Sequence, residues 1–448
     1  MSDRHFDLIV LGTGPSGGTV ATNVARAGHR VAIVESRQFG GVCALRGCNP
    51  KKVYTNAAEL VDRVRRSDEQ LIHDGGVSID WARLHAFKNE FTDPVARKSE
   101  KSFQDDGITT LLSDARFTGR NQIEINGETL SADFFCIATG AKPIPLPIEG
   151  AEHVTHSDEF FDLASMPNRI LFIGGGYISM EFAHVVARCG KQVAVVEKRD
   201  RVLAGFDPDL VELLVKYSRD IGIDFRLGRE VTSVQKDSAL TVKLDDGSTI
   251  ECDLVVHGAG RVPNLDGLNL DAAGIEHGKK GIRVEQSLRS VSNDAIFATG
   301  DCADSGKPRL TPVANEQARM VAKNLFAKNP VLAPDYGVIP KVAFTTPAIA
   351  SVGLSESHIE NSDRTVDVRF GETSDRGSVR KTGQIVAGYK IIVDGKTDAI
   401  LGAHLLGPAA EETINLFALA MKHDLTATDI KSTLFAFPTF ASDIRQMV

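Results

Sequence analysis

The sequence predicts an α/β protein with two Rossmann-like domains followed by a C-terminal α+β domain. The first observation behind this expectation is a pattern of strand, glycine loop, helix and strand that occurs twice along the chain. The second is the region beyond Gly337, where several strand-like segments precede two amphipathic helices. The length of 448 residues allows roughly three domains, which agrees with this division.

The first copy of the pattern begins with a buried strand, Phe6 to Leu11, that leads directly into a glycine-rich loop. A helical stretch follows the loop, and a second strand ends at Glu35. This order is the structural context that a dinucleotide-binding motif requires. The glycines of its fingerprint are Gly12, Gly14 and Gly17.

The second copy lies 162 residues further along the chain and keeps the same spacing. It runs from a strand at Ile170 to Ile173, through its own glycine loop, to a strand that ends at Glu197. A serine stands at the third glycine position, and it is small enough for the close packing of helix on strand that this position needs. The equivalent fingerprint residues are Gly174, Gly176 and Ser179.

Each copy carries an acid 23 residues beyond its first glycine. In such a motif the first glycine makes the turn, the second lets a pyrophosphate approach the backbone, and the acid binds a ribose hydroxyl. The N-terminus of the helix holds the phosphates. Two copies in matching register are hard to obtain by chance. We therefore expect two dinucleotide-binding domains, two different cofactors and electron transfer between them.

Glycine- and proline-rich segments predict the domain boundaries. Ala138 to Pro147 and His257 to Asn264 are typical of crossovers between domains. We expect a first dinucleotide-binding domain at 1–147, a second at 148–265, a return to the first at 266–336, and the α+β domain at 337–448. In the last segment we predict strands at 341–345, 366–370, 389–393 and 400–406, and helices at 410–423 and 427–434.

The composition disfavours several classes of function. The formal net charge of −8 argues against a nucleic-acid partner held by bulk electrostatics. No apolar run approaches the roughly 18 residues that a membrane span needs, and the first apolar run is only Leu8 to Leu11. We therefore expect a cytoplasmic protein without a membrane partner. Six cysteines are too few for a disulfide scaffold in a chain of this length.

Two cysteines, Cys43 and Cys48, stand close together after the first Rossmann pattern. Residues five apart do not face each other on a regular helix, so a bond between them needs a distorted turn, which Gly47 permits. A strained cysteine pair beside a cofactor motif indicates redox catalysis. Half of a zinc site is the alternative, but no second cysteine pair exists, so we expect no metal. The isolated cysteines are interpreted as small buried residues: Cys136, Cys189, Cys252 and Cys302.

In combination, these motifs resemble the flavoprotein disulfide reductases, the family that contains glutathione reductase, dihydrolipoamide dehydrogenase and mercuric reductase. The resemblance covers essentially the whole chain. It implies an enzyme that uses FAD and NAD(P)H to reduce a small disulfide, and a homodimer whose interface is the C-terminal α+β domain. It also implies that Cys43 is the interchange thiol that attacks the substrate and Cys48 the charge-transfer thiol. Lys51 and Glu181 resemble the ion pair that lies beside the flavin.

The same resemblance assigns the cofactor contacts. It places FAD at the first glycine loop and the nicotinamide cofactor at the second, where Tyr177 resembles the gate over the nicotinamide pocket. The implied FAD contacts are Gly12, Gly14, Ser16, Gly17, Glu35, Asp301 and Thr311. The implied nicotinamide contacts are Gly174, Gly176, Tyr177, Ser179, Glu197, Gly260 and Arg261.

The chain departs from this family near its C-terminus. Glutathione reductase and dihydrolipoamide dehydrogenase carry a histidine, and a glutamate five residues later, which the partner subunit lends to the disulfide to protonate the leaving thiolate. Here Phe437 and Ser442 occupy those positions, and Asp443 follows. A phenyl ring cannot carry a proton. Either another group such as His423 takes over, or the leaving group of the acceptor needs no proton.

This departure leaves four functions open. Reduction of a small, glutathione-like disulfide is favoured. Dihydrolipoamide dehydrogenase is weaker, because that direction needs a base for the dithiol. Reduction of a metal ion, quinone or persulfide needs no histidine, although mercury is disfavoured because no cysteine follows Cys302. A non-catalytic redox sensor is opposed by the intact cysteine pair.

Glu197 favours NADH over NADPH, because a 2′-phosphate would face its carboxylate. NADPH-specific members of the family have an apolar residue there and two arginines further along, which align with Lys198 and Ala204. Arg199 and Arg201 keep the loop basic, so NADPH stays as the alternative cofactor.

Overall fold

The computed structural model describes residues 4–68, 71–327, 332–359 and 364–448. Packing divides the chain into two units, each assembled from three segments. Unit 1 comprises Met1–Pro50, Phe87–Ile144 and Arg261–Tyr336. Unit 2 comprises Lys51–Ala86, Pro145–Gly260 and Gly337–Val448. Unit 1 therefore holds the first glycine loop, and unit 2 holds the second loop together with the C-terminal region. The boundaries expected at 147, 265 and 336 stay predictions.

Unit 1 is built on a sheet whose central strands are parallel. The strand Arg4–Leu11 lies between Val31–Glu35 and Glu128–Ile137, and it pairs parallel with both. Helices Pro15–Arg26 and Thr311–Asn324 bury apolar side chains against one face of the sheet. The strand order is Thr109–Leu112, Val31–Glu35, Arg4–Leu11, Glu128–Ile137, Gln122–Ile125 and Arg116–Gly119, with Ile296–Ala298 also paired to Glu128–Ile137. The remaining elements of this unit are helices Gly41–Leu45 and Val95–Asp105, 3₁₀ helices Leu270–Ala273 and Gly300–Cys302, and strands Ala141–Pro143, Arg261–Pro263, His277–Gly278, Gly281–Arg283 and Ala303–Asp304.

Unit 2 repeats this design around the second glycine loop. The strand Arg169–Ile173 lies between Gln192–Glu197 and Leu254–His257, and all three run parallel. The strand order is Ile223–Leu227, Gln192–Glu197, Arg169–Ile173, Leu254–His257 and Val154–His156. An antiparallel sheet of Val231–Lys236, Leu240–Leu244 and Thr249–Cys252 accompanies it, with helices Ser157–Phe160, Tyr177–Arg188 and Pro208–Asp220 and the 3₁₀ helix Ala151–His153. Helices Cys48–Arg66 and Trp81–Thr92 each include residues of both units.

The C-terminal region of unit 2 is an antiparallel sheet covered by helices. Helix Ala410–Lys422 buries Ile414 and Phe417 in a core that it shares with the sheet. The strand order is Lys341–Ala343, Ile349–Gly353, Ile400–Leu406, Gly388–Asp394 and Val366–Glu372. The further helices are Glu356–Ile359, Gly377–Arg380, Ala427–Ser432 and Phe440–Asp443, with the 3₁₀ helix Ile444–Gln446.

The predicted fold class is confirmed: two Rossmann-like α/β sheets and a C-terminal α+β region are present. The helix predicted at 427–434 is shorter because Thr433 already has extended backbone angles. The strand Ile349–Gly353 was not predicted, because its residues are nearly all small or apolar and show no alternation. Within the described ranges, none of the helices combines the length with the apolar character required to span a bilayer.

Candidate active site and cofactor-binding motifs

The first glycine of each loop is required by its backbone. Gly12 has φ +102° and Gly174 has φ +93°, which residues with a Cβ rarely adopt. A Cβ on Gly174 would also lie 2.7 Å from Cα of Ala259, and one on Gly12 would meet the carbonyl of Ala138. Each loop therefore turns tightly against the strand next to it, and the following helix N-terminus stays open to a phosphate.

The two acids bind the two loops through the same hydrogen bonds. Glu35 Oε2 accepts from the Thr13 amide at 3.2 Å, and its Oε1 accepts from the Arg37 amide at 3.1 Å. Glu197 Oε2 accepts from the Gly175 amide at 2.7 Å, and its Oε1 accepts from the Arg199 amide at 2.9 Å. These pairs differ by 162 in every position, so the internal repeat extends to individual hydrogen bonds.

The third fingerprint position shows how Ser179 replaces a glycine. In the first copy, a Cβ on Gly17 would come within 3.2 Å of the Ala138 side chain. In the second copy Gly258 faces Ser179, and a Cβ on Gly258 would collide with the Ser179 hydroxyl. In the second copy the glycine therefore lies at position 258, on the facing strand end, and not at the third fingerprint position. The Ser179 hydroxyl is buried and has no hydrogen-bond partner among the described residues. Sequence reasoning missed Gly258, which has no place in the fingerprint.

In unit 1 the two cysteines lie on either side of a break between two helices. Cys43 belongs to the short helix Gly41–Leu45, and Cys48 is the first residue of the helix that follows Gly47. The expected distorted turn is therefore present. Both residues are thiols, and the Thr311 hydroxyl lies 3.5 Å from Cys43 Sγ and 3.9 Å from Cys48 Sγ. A hydrogen bond with Cys48 and burial raise the pKa of the Cys43 thiol.

The cysteine segment is bound to the first glycine loop. The Thr13 hydroxyl donates to Glu35 at 2.5 Å and accepts from the Gly40 amide at 3.0 Å. A Cβ on Gly41 would fall between backbone atoms of Thr13 and Gly14. The glycines that precede Cys43 therefore allow the redox pair to approach the loop that the sequence assigns to FAD.

The residues Ser16, Asp301 and Thr311 converge on the same part of unit 1. Ser16 hydrogen-bonds Thr299, and Gly300 lies close enough that a Cβ there would be 3.6 Å from Ser16. Burial raises the pKa of Asp301, although the guanidinium groups of Arg261 and Arg309 oppose this. A phosphate-accepting loop, a buried carboxylate for sugar hydroxyls and a thiol pair at one place fit FAD.

In unit 2 the predicted pair of Lys51 and Glu181 is present, but it is part of a larger cluster. Glu181 Oε2 lies 3.1 Å from Lys51 Nζ and 2.8 Å from Lys52 Nζ. Its Oε1 accepts from the Phe344 amide at 2.9 Å. Burial opposes the charge of Glu181, but Lys51 and Lys52 outweigh it and lower its pKa. Lys52 was not predicted as a partner, because sequence spacing alone does not show which lysine reaches Glu181.

The remaining residues predicted to bind nicotinamide are divided between the two units: Tyr177 and Gly260 belong to unit 2, and Arg261 belongs to unit 1. The ring centroid of Tyr177 lies 4.6 Å from Lys51 Nζ, and the side chain is 46% exposed. Gly260 ends the segment whose Ala259 packs on Gly174. Arg261 is the first residue of the next segment of unit 1, where its guanidinium donates to the Ala141 carbonyl. A nicotinamide role for Arg261 stays a prediction.

The C-terminal segment presents Phe437 to solvent and holds its polar residues in local bonds. Phe437 is 86% exposed. The Ser442 hydroxyl donates to the Thr439 carbonyl at 2.6 Å, and the Asp443 carboxylate accepts from Ser378. The Asp443 carboxylate is therefore already a hydrogen-bond acceptor within its own subunit. In the described part of the chain, no group of three or more histidine, cysteine, aspartate or glutamate side chains is arranged to hold a metal ion.

Comparison with known proteins agrees with this arrangement. The chain is 34% identical to a "Glutathione reductase" of Burkholderia cepacia, with 99% of this chain and 98% of the relative aligned. A "Dihydrolipoyl dehydrogenase" of Chlamydia muridarum is 32% identical, with 98% and 95% covered. The Cu(II) complex of the HOCl-induced flavoprotein disulfide reductase RclA from Escherichia coli has a TM-score of 0.90 at 25% identity, covering 100% of this chain and 99% of RclA.

Family profiles account for nearly all of the sequence. Residues 6–318 match the pyridine nucleotide-disulphide oxidoreductase profile, and residues 339–448 match the dimerisation domain of the same family. The chain belongs to the pyridine nucleotide-disulphide oxidoreductases, the FAD- and NAD(P)H-dependent disulfide reductases.

Proposed function

We propose that this enzyme passes electrons from NADH, through FAD, to the Cys43–Cys48 pair and on to a small disulfide. The observation that carries the proposal is the placement of both thiols around one hydroxyl, that of Thr311. Thr311 begins the 14-residue helix Thr311–Asn324, whose N-terminus favours negative charge. Bound FAD would supply the two-electron transfer, and the residues of this chain would position it and stabilise the thiolates.

We assign different roles to the two thiols. Cys43 is the nucleophile that attacks the disulfide substrate, forming a mixed disulfide and releasing one thiolate. Cys48 then attacks Cys43, which restores the Cys43–Cys48 disulfide and releases the second thiolate. The raised pKa of Cys43 fits the charge-transfer role of Cys48, because the proton of the reduced pair then resides on Cys43, which must lose it before attack.

The ion cluster of unit 2 supports the reduced state. Lys51 follows Cys48 by three residues on the helix Cys48–Arg66, which places both on one face of the helix. We propose that Lys51, held by Glu181, provides positive charge for the reduced cofactor and for the Cys48 thiolate.

Single replacements of the cysteines should separate their roles. Cys43→Ser should show a long-wavelength absorption band at neutral pH before any reductant is added, because the remaining Cys48 thiolate would be the charge-transfer donor to bound FAD. Cys48→Ser should lose the band even after anaerobic addition of NADH. Absorption spectra of the two purified holoenzymes are the measurement. A band in Cys48→Ser and none in Cys43→Ser would reverse the assignment.

We propose that NADH is preferred over NADPH. Both oxygens of Glu197 are held by backbone amides, so the carboxylate is fixed beside the second loop. Its neighbour Lys198 lies 3.5 Å from Glu230, and Arg201 donates to the Ala204 carbonyl. These basic side chains therefore already have partners.

Replacing the acid should reduce this preference. In Glu197→Val we expect the ratio of kcat/KM for NADH to that for NADPH to fall by about tenfold, the effect of roughly 1.4 kcal/mol of removed like-charge contact. Steady-state kinetics with both nucleotides is the measurement. Wild-type enzyme that prefers NADPH would refute the proposal, and an unchanged ratio in the variant would show that Glu197 does not discriminate.

The C-terminal domain belongs to a dimerisation family, and the enzyme is a homodimer. We propose that residues 337–448 form the interface. This region exposes large apolar side chains, including Leu419, Leu434 and Phe437. Sedimentation at micromolar concentration should give a dimer. A fully active monomer would contradict this assignment.

Copper reduction is the second candidate function. It is favoured by Phe437, since an acceptor that releases no thiolate needs no proton donor, and by the resemblance to RclA, which has been described as a Cu(II) complex. Oxidation of the Cys43–Cys48 dithiol to its disulfide would reduce two Cu(II) to two Cu(I). The test compares the turnover of a panel of substrates with the consumption of NADH. The panel contains oxidised glutathione, dihydrolipoamide, quinones, a persulfide and Cu(II). Disulfide activity alone would eliminate copper. We also propose a cytoplasmic location, because six cysteines in 448 residues are too few for a disulfide scaffold.

A further inference from the structure

A second polar cluster in unit 2 lies further along the helix that carries Glu181. His184 and Arg188 follow Glu181 by three and seven residues on the helix Tyr177–Arg188, so the three side chains share one face of that helix. All three are buried. Buried polar groups need hydrogen-bond partners, and these side chains find them in the backbone of residues 344–346.

The three side chains bind this backbone segment one after another. Glu181 Oε1 accepts from the Phe344 amide at 2.9 Å, and His184 Nδ1 accepts from the Thr346 amide at 3.2 Å. Arg188 donates to the Thr346 carbonyl at 3.0 Å. The hydrogen bond that orients Glu181 is therefore one of three between the helix and the segment, and its donor is only as well placed as the segment itself.

The hydrogen bonds of His184 define which ring nitrogen carries the proton. Arg188 donates to Nδ1 at 3.1 Å, as the Thr346 amide also does, and neither donor can accept. Nδ1 is therefore the unprotonated acceptor. Nε2 donates to the Ser218 hydroxyl at 3.1 Å, because that hydroxyl gives its own proton to the Leu214 carbonyl at 2.6 Å. Burial and the charge of Arg188 hold the pKa of His184 well below its usual range, which keeps Nδ1 free of a proton.

Arg188 is in turn held by a buried acid on the helix that carries the lysines. Its Nη2 lies 2.8 Å from Asp62 Oδ1, and Asp62 is buried. Asp62 and Lys51 belong to the same helix, Cys48–Arg66. This helix and the helix with Glu181 are therefore joined at two places, by Lys51 with Glu181 and by Asp62 with Arg188.

We propose that His184 is a positioning residue for the ion pair of Glu181 and Lys51. Its Nδ1 fixes the segment 344–346, which keeps the Phe344 amide on Glu181 Oε1. Glu181 in turn holds Lys51. The inference rests on the proposed function, in which Lys51 supplies positive charge to the charge-transfer thiolate. Without the acceptor at position 184, the ammonium is less well held and the thiolate loses part of its stabilisation.

Two replacements of the histidine separate the roles of its two ring nitrogens. In His184→Asn the amide oxygen takes the place of Nδ1 and can accept from the Thr346 amide, whereas in His184→Gln the amide group reaches the place of Nε2 instead. Ser218→Ala removes the partner of Nε2 and leaves Nδ1 untouched, so it is the matched control for loss of a buried hydrogen bond. His184→Ala is a second variant without an acceptor, in case His184→Gln does not fold.

The measurement is the pH midpoint of the long-wavelength charge-transfer band, with each replacement made in the Cys43→Ser holoenzyme. His184→Gln and His184→Ala should raise the midpoint by about one pH unit, the lower end of the range for loss of a nearby opposite charge. His184→Asn and Ser218→Ala should leave the midpoint unchanged, because both retain an acceptor for the Thr346 amide.

The dependence on Lys51 shows whether the effect passes through the ion pair. In a Lys51→Met background the midpoint should already be raised, and His184→Gln should not raise it further. An equal shift with and without Lys51 would overturn the proposal. A shift in His184→Asn as large as in His184→Gln, or no shift in a folded variant without the acceptor, would also overturn it, although the proposed function would stand. If Cys43→Ser shows no band at all, the assignment of the thiols fails, and the inference fails with it.

Discussion

The double replacement Phe437→His with Ser442→Glu should raise turnover of oxidised glutathione by about 10²-fold or more. General acid–base help is typically worth about 10²–10⁴-fold, and Phe437 provides none. The raised pKa of Cys43 adds to the deficit, because the attacking thiol holds its proton firmly at neutral pH. A histidine lent by the partner subunit would take that proton and return it to the leaving thiolate.

The structure permits this replacement at little cost in stability. Phe437 is 86% exposed in the single chain, so its removal opens no cavity inside the subunit. Ser442 is the third residue of a helix capped by Thr439, a position at which glutamate is favoured because its side chain reaches back to the N-cap amide. Neither replacement removes the hydrogen bond between Asp443 and Ser378.

The measurement is kcat for oxidised glutathione with saturating NADH, with Phe437→Leu as the control for loss of the ring alone. The leaving-group dependence provides an independent readout. Wild-type rates on a series of disulfides should fall steeply as the pKa of the released thiol rises, and the double variant should flatten that dependence. A double variant with unchanged turnover and an unchanged slope would show that proton transfer is not what limits the reaction.

The repeat was predictable because it is local. Each fingerprint is confined to 24 consecutive residues, from Gly12 to Glu35 and from Gly174 to Glu197. The hydrogen bonds from the Thr13 amide to Glu35 and from the Gly175 amide to Glu197 lie inside those two stretches. The cysteine pair could be predicted because it is also local. The glycine between the two helices allows the distorted turn that separates the cysteines.

Other features of the candidate site depend on pairs that are distant in sequence. Lys52 and Phe344 are brought to Glu181 by folding of three separate segments of unit 2, and no spacing rule connects them. The pairing of Ser179 with Gly258 could not be predicted either. The two residues are far apart in sequence, and only the fold shows that they face each other. The sequence therefore predicts the cofactor motifs well and the charge distribution around the ion pair poorly.

The largest effect on stability is expected at Lys390, which was also invisible to sequence reasoning. Lys390 lies on the strand Gly388–Asp394 and is 1% exposed. Its ammonium is 3.1 Å from Asp207 and 2.5 Å from Asp209, and it also contacts Glu356. Asp207 is completely buried and caps the helix Pro208–Asp220 with its other oxygen. One lysine thus joins the C-terminal sheet to the helix that follows the second Rossmann motif.

Lys390→Met should lower the free energy of unfolding by about 3–5 kcal/mol, because it leaves the Asp207 carboxylate buried without a counter-charge. Asp209→Asn is the matched control: that carboxylate is 53% exposed, and its loss should cost less than about 1 kcal/mol.

Burial disfavours the charge of Lys390, but the three carboxylates outweigh it and raise its pKa. The stabilisation is therefore complete below the usual lysine pKa of about 10.4 and is lost only as the pH rises through the higher folded value. Urea unfolding of both variants between pH 6 and 9 is the measurement, and adding Asp207→Asn to Lys390→Met should recover part of the loss. A Lys390→Met protein within 1 kcal/mol of wild type would show that water or a neighbouring group already compensates Asp207.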